Sequence, residues 1–161
     1  MSRTTIDYGI DLGTTNSSIA MVSGAGTEVI KNNIDADITP SAVYINRAGN
    51  LCVGQNARSK TTDERTEDDV FLEFKRRMGT GFEYVFRASG RRMRPEDLSA
   101  EVLKSLRADV AQKKGEELNA AVITVPAAFE LHQCDATKVA AELAGFKTAA
   151  LLQEPVAAAL A

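Results

Sequence analysis

Tryptophan is absent from the 161-residue chain, histidine occurs once and cysteine twice. Cys52 and Cys134 lie far apart, with no CxxC spacing to hold zinc. His132 sits beside Gln133 and Cys134 at a helix start and reads as a surface residue. A Cys/His nucleophile would lack its third, orienting member. So few cysteines fit a reducing compartment. A chain this long buries enough surface to fold without disulfide or metal staples. Neither sign of charge dominates: 19 Lys and Arg against 22 Asp and Glu leave −3. There is no basic excess for nucleic acid or anionic lipid. The longest strongly apolar run, "AAVITVPAAF", is too short to span a bilayer and contains Pro126. The start, "MSRTTIDYGID", lacks the apolar stretch of a secretory signal. A cytoplasmic protein, with no membrane or nucleic-acid partner, is expected. GxxxxGK[ST] and a strand-to-helix GxGxxG are missing as well.

The composition, 44% hydrophobic and 25% charged, is that of a globular domain. From Thr5 to Leu12 apolar residues alternate, with Ile6, Tyr8, Ile10 and Leu12 on one face and Asp7, Gly9 and Asp11 on the other. "SSIAMVS" reads as a second strand after a hairpin-length connection, Gly13 to Asn16. "TEVIKN", "SAVYIN" and "LCVG" read as further strands, divided by turns at Gly24–Gly26, Asn32–Asp37 and Gly49–Asn50. Ser59 to Asp69 reads as a loop or frayed helix end, and "DVFLEFKRRMG" as a short helix ending near Gly79. "YVFRAS" and "RRMR" form a small hairpin turning at Ser89–Gly90.

The pattern sharpens at Pro95. Proline in the first turn, early acids, late lysines and Gly115 predict a helix. Its apolar stripe is Leu98, Val102, Leu103, Leu106 and Val110. "AAVITVP" and "TAALLQ" read as strands buried in a parallel sheet. Between them "FELHQCDATKVAAELAGF" reads as a helix stopped by Gly145. "EPVAAALA" opens another helix and reaches Ala161 without a stop signal, so the chain is expected to be part of a longer protein. The whole is α/β, a mixed sheet with flanking helices.

The chemistry concentrates in "GIDLGTTNS". Gly13 lets a ligand approach the backbone. Thr14, Thr15 and Asn16 add hydroxyl and amide groups beside N–H donors that suit an anion. Asp11 would repel that anion unless a divalent cation such as Mg²⁺ lay between them. The alternative is a Thr- and Asn-rich turn with an exposed aspartate. Glu154, driven out of helical conformation by Pro155, should close the "TAALLQ" strand. Ligands of open α/β sheets bind beyond such carboxyl ends. A helix-start acid is the plainer reading. Lys75 could neutralise a phosphate, but Lys75-Arg76-Arg77 also reads as a solvated face, with Glu73 pairing to Arg77.

Taken together, "GIDLGTTNS", "TPSAVYI", "GQNA", "FKRRMG", "SAEVLKSL", "AVITVPAAF", "ATKVAAELAGF" and "QEPVAAALA" resemble, in order, the first ATPase lobe of the seventy-kilodalton heat-shock chaperones (DnaK-like). The resemblance covers nearly the whole chain. It implies an actin-like (ribonuclease H-like) lobe: a mixed five-stranded sheet, core about 1–38 and 115–161, and a small α+β insertion at about 39–114. It implies ATP or ADP with Mg²⁺ held through water by Asp11, phosphates on Gly13, Thr14, Thr15 and Asn16, Lys75 near the transferred phosphoryl group and Glu154 positioning water, with Thr14, Lys75 and Glu154 as the catalytic set. Implied partners are a second ATPase lobe and a peptide-binding domain of the same chain, unfolded polypeptides, a J-domain protein and a nucleotide exchange factor. One lobe alone is expected to hydrolyse ATP barely. Departures from the family pattern fall at Ala128, Leu131, Cys134 and Ala150, places that serve interlobe and J-domain coupling in the family. Three readings compete: an actin-like filament or cell-shape protein, a sugar kinase of the same fold, and a non-catalytic binding module.

Overall fold

The computed structural model describes residues 6–24 and 26–160. Thr5, Ala25 in the Gly24–Gly26 turn and Ala161 lie outside the described residues. The chain opens with three antiparallel strands, β1 (Tyr8–Leu12), β2 (Asn16–Ser23) and β3 (Gly26–Val29). The alternation in β1 is met: Tyr8, Ile10 and Leu12 are buried, Gly9 and Asp11 exposed. β4 is only Thr39–Pro40 and pairs with β2. Next come β5 (Ala42–Ile45), β6 (Leu51–Val53) and the single helical turn α1 (Gln55–Arg58). The Ser59–Asp69 segment contains two 3-10 turns, Ser59–Thr62 and Glu67–Asp69.

The expected helix over "DVFLEFKRRMG" is not formed. Val70–Leu72 is strand β7, which pairs with β5 and leaves a three-stranded sheet in the order β6-β5-β7. Val70 and Phe71 have the branched and aromatic side chains that fit a pleated surface. Glu73 then adopts the left-handed conformation, φ 53°, which ends the strand. A 3-10 turn, Phe74–Arg77, follows. Glu73 pairs with Arg76 at 3.4 Å rather than with Arg77, whose guanidinium lies over the Phe82 ring at 4.1 Å. The hairpin is present as β8 (Tyr84–Val85) and β9 (Arg92–Met93). Phe71 holds it to β7, meeting Tyr84 at a tilt and Phe86 edge-on with centroids 4.8 Å away in each case.

Helix α2 spans Pro95–Lys114. Pro95 opens it, the Arg94 N–H donates to Asp97 Oδ2 at 2.8 Å, and Gly115 closes it in the left-handed conformation, φ 67°. All five predicted stripe residues are buried. β10 (Ala120–Val125), α3 (Leu131–Leu143), β11 (Thr148–Gln153) and α4 (Glu154–Leu160) complete the order. α3 starts later than the sequence pattern implies, because Glu130 is extended and caps it: its N–H donates to Gln133 Oε1 at 2.9 Å.

The main sheet has the order β11-β10-β1-β2-β3, with β4 attached to β2 as a sixth member rather than the expected five strands. β1, β10 and β11 run parallel, and β1 and β2 antiparallel, so the sheet is mixed. Neither late strand is buried on both faces. β10 alternates between buried and half-exposed positions, and β11 is an edge strand with exposed and half-exposed residues. The buried positions of β1 and β10 join α2 and α3 in one apolar cluster that includes Ile10, Leu12, Leu103, Leu106, Ile123 and Ala140. Burying each of the leucine and isoleucine side chains contributes roughly 1.5–3 kcal/mol. That cluster leaves the opposite face, with Asp11 and Thr124, open.

Candidate functional site

Three parallel strands present their carboxyl ends along one edge. Asp11 pairs with Thr124, and Thr124 with Leu152, so Asp11, Thr124 and the end of β11 form a row across the sheet. β10 therefore lies between the strands that carry Asp11 and Glu154, which are not direct neighbours. Glu154 does not close β11, which ends at Gln153; despite Pro155 it is the first residue of α4, the helix-start position of the plainer reading. The Thr124 hydroxyl donates to Asp11 Oδ1 at 3.2 Å, which orients the carboxylate.

Lys75 arrives from outside this sheet. The solvated-face reading of Lys75-Arg76-Arg77 fails for its first member: Lys75 is 3% exposed. The 3-10 turn after Glu73 aims Lys75 inward, so its ammonium donates to the Leu12 carbonyl at the end of β1. Glu154 Oε1 stands 3.7 Å from Nζ, and the Phe129 ring centroid lies 5.4 Å away. Burial pulls the Lys75 ammonium below its ordinary 10.5, and the carboxylates of Glu154 and Asp11 resist that shift. Asp11, Lys75 and Glu154, 64 and 79 residues apart in succession, thus share one rim.

The Gly13–Asn16 turn borders the same rim. A Cβ on Gly13 would come within 2.0 Å of the Asn16 carbonyl oxygen, so only glycine fits. Thr15 and Asn16 are exposed and Thr14 half-buried. Among the described residues, no backbone carbonyl accepts from the Thr14 or Thr15 N–H. These groups suit an anion. The donor set for a cation is hard oxygen, the Asp11 carboxylate, which matches Mg²⁺ rather than a soft metal. Among the described residues no group of three or more His, Cys, Asp or Glu side chains could hold a metal by themselves. Mg²⁺ commonly relies instead on one or two carboxylates, waters and substrate phosphates, so the residues present fit Mg²⁺ with a nucleotide.

Of the departure positions, Leu131 and Cys134 lie in α3 and Ala128 just before it, while Ala150 is on β11. Ala128 and Ala150 are exposed, Leu131 is 77% exposed, and Cys134 is half-buried. Two residues escaped the sequence reading: Thr124, whose partner Asp11 appears only through strand register, and Ser41, which touches the turn from 28 residues away. The "TPS" segment marked Ser41 only by resemblance.

These features define a mixed α/β lobe whose polar groups gather at the carboxyl ends of its parallel strands. A family model described as Hsp70 protein matches residues 7–89 and 83–161, and the chain belongs to the Hsp70 family. That family has the actin-like ATPase fold, and the chain is an Hsp70-type ATPase domain in kind. Its members are ATP-binding chaperones that take ATP or ADP with Mg²⁺ and work with a peptide-binding domain and co-chaperones. No helix among the described residues is long and apolar enough to cross a membrane.

Proposed function

We propose that this chain forms the first lobe of an ATP-hydrolysing chaperone and that its rim handles the phosphates of ATP. The observation that carries the reading is the buried Lys75 ammonium held between the Leu12 carbonyl and Glu154, beside Asp11. Phosphoryl transfer depends mainly on positioning and charge stabilisation. The Gly13–Asn16 turn receives phosphate oxygens on its N–H groups and hydroxyls. Lys75, fixed by burial, offers its positive charge where charge builds on the transferred phosphoryl group. Glu154, ion-paired to Lys75 and 46% exposed, is open to solvent and orients the attacking water. Asp11, steadied by Thr124, is the side chain that would hold Mg²⁺ through water. When bound, Mg²⁺ would supply positive charge that neutralises the phosphates there.

The inserted segment at about 39–114 supplies Lys75, and the core segments at about 1–38 and 115–161 supply the turn and both carboxylates. The exposed Leu131 and half-buried Cys134 replace polar family residues; a thiol cannot reproduce the planar donor fork of arginine. We therefore read the ATP chemistry as retained and coupling to a second lobe and a J-domain partner as altered. The test is single-turnover ATP hydrolysis by the full-length protein. Lys75→Ala lowers the rate by about 100-fold or more, the scale of losing one fixed transition-state donor, while ADP still binds. An unchanged rate contradicts the proposal.

A further inference from the structure

Thr39–Pro40 is too short to add much to the sheet, yet Ser41, which follows it, is bonded to the glycine turn at two points and to Ser17 just after it. The Ser41 hydroxyl donates to the Gly13 carbonyl at 2.8 Å. The Ser41 N–H donates to the Thr15 carbonyl at 2.9 Å. Ser17 Oγ lies 2.9 Å from Ser41 Oγ. A hydroxyl has one proton, and Ser41 gives its proton to Gly13, so Ser17 is the donor to Ser41. Ser17 and Ser41 are 1% and 2% exposed, so water does not replace these bonds. Behind them Asn32 holds the approach: its Nδ2 donates to Thr39 Oγ1 at 3.2 Å and to the Ile38 carbonyl at 3.0 Å. Its Oδ1 accepts the Ile34 and Ala36 N–H groups at 3.0 and 2.9 Å.

The consequence follows from peptide geometry. In a trans peptide, C=O and N–H point to opposite sides. Tying the Gly13 and Thr15 carbonyls to Ser41 turns the N–H groups of Thr14 and Asn16 away from it. We propose that Ser41, with Ser17 behind it, is the positioning residue that sets the turn's N–H groups to receive phosphate. This inference rests on the proposed phosphate role of the turn. Ser41 touches no phosphate itself; it fixes the backbone that does. Buried, fully bonded polar networks of this kind hold one conformation, and removing one member leaves a partner unsatisfied.

The experiment compares ADP and adenosine binding to the full-length protein by calorimetry. Adenosine lacks the phosphates, so its affinity reports the rest of the site. Ser41→Ala weakens ADP by about tenfold, the scale of one lost buried hydrogen bond, and leaves adenosine within twofold. Ser17→Ala has a smaller effect of the same kind. Amide hydrogen exchange of the nucleotide-free protein supplies a second readout: the Thr14–Asn16 segment exchanges faster in Ser41→Ala, with other segments unchanged. An unchanged ADP-to-adenosine ratio, or unchanged exchange in the turn, overturns the inference. Gly13→Ala separates the two levels. If it too leaves ADP binding intact in a folded protein, the phosphate reading of the turn falls. If it weakens ADP selectively while Ser41→Ala does not, only the role of Ser41 falls.

Discussion

Asp109 is the most conspicuous ionisable group away from the rim. It sits on α2, 4% exposed, bonded to the Asn33 N–H through one oxygen. Its Oδ2 has no partner among the described residues. Burial lifts its pKa from 3.8 to about 6, and Asn33 and Lys113 resist the shift. The folded protein therefore keeps this proton up to pH about 6, while the unfolded chain releases it near 3.8. Between those values the folded state binds more protons, so this group's contribution to stability falls as pH rises and is gone above the folded pKa. Asp109→Asn should flatten that slope and raise stability at pH 7 by up to about 3 kcal/mol relative to the parent, the value of the whole shift. Urea unfolding of both proteins at pH 4.5 and pH 7 measures it; an equal difference at both pH values contradicts the prediction. Neither this group nor Lys75 was legible as buried. A lysine beside two arginines has the local pattern of a solvated face, and only the left-handed turn at Glu73 sends Lys75 inward. Asp11 and the glycine turn were legible because a strand end and a glycine carry local signals, whereas the proline rule misplaced Glu154, which opens α4 instead of closing β11.

Gly79 shows the same limit for whole elements. The sequence marks it as a helix stop, but the structure uses it to let the Lys75 turn pass beneath α3. Its φ is 72°, and a Cβ would sit 2.8 Å from the His132 carbonyl oxygen at the start of α3. Its N–H donates to Glu96 Oε1 at 2.9 Å on α2. Gly79→Ala should cost about 1–3 kcal/mol, from left-handed strain plus displacement of α3. Gly9→Ala is the control: a Cβ added there meets nothing within 4 Å, and a change of under about 0.5 kcal/mol is expected at such a site. Equal melting temperatures for the two variants would refute this. α2 was readable end to end because proline, acids, lysines and glycine all agreed with its apolar stripe. The Val70–Arg77 segment was not. Val70 and Phe71 find their partners on β5, and such pairing is invisible in a short window.

At the scale of the molecule, the mixed sheet was legible in outline, since βαβ spacing forces β10 and β11 parallel. The order of its strands was not, and that order places β10, with Thr124, between the two carboxylates. The α2 and α3 layer buries one face of β1 and β10 and so directs the polar residues to the other face and to the carboxyl edge. Function, in this account, is a result of topology. Segments near residues 11–16, 75, 124 and 154 matter because their strand ends and one inserted turn meet at one place. The direct measurement is affinity cleavage of the full-length protein with Fe²⁺ in place of Mg²⁺, bound with ADP, and peroxide with ascorbate. Mass spectrometry then locates the backbone cuts. The account predicts cuts clustered at residues 11–16, 124–126 and 153–155, lost in Asp11→Asn. Cuts confined to other segments, or unaffected by Asp11→Asn, would contradict it.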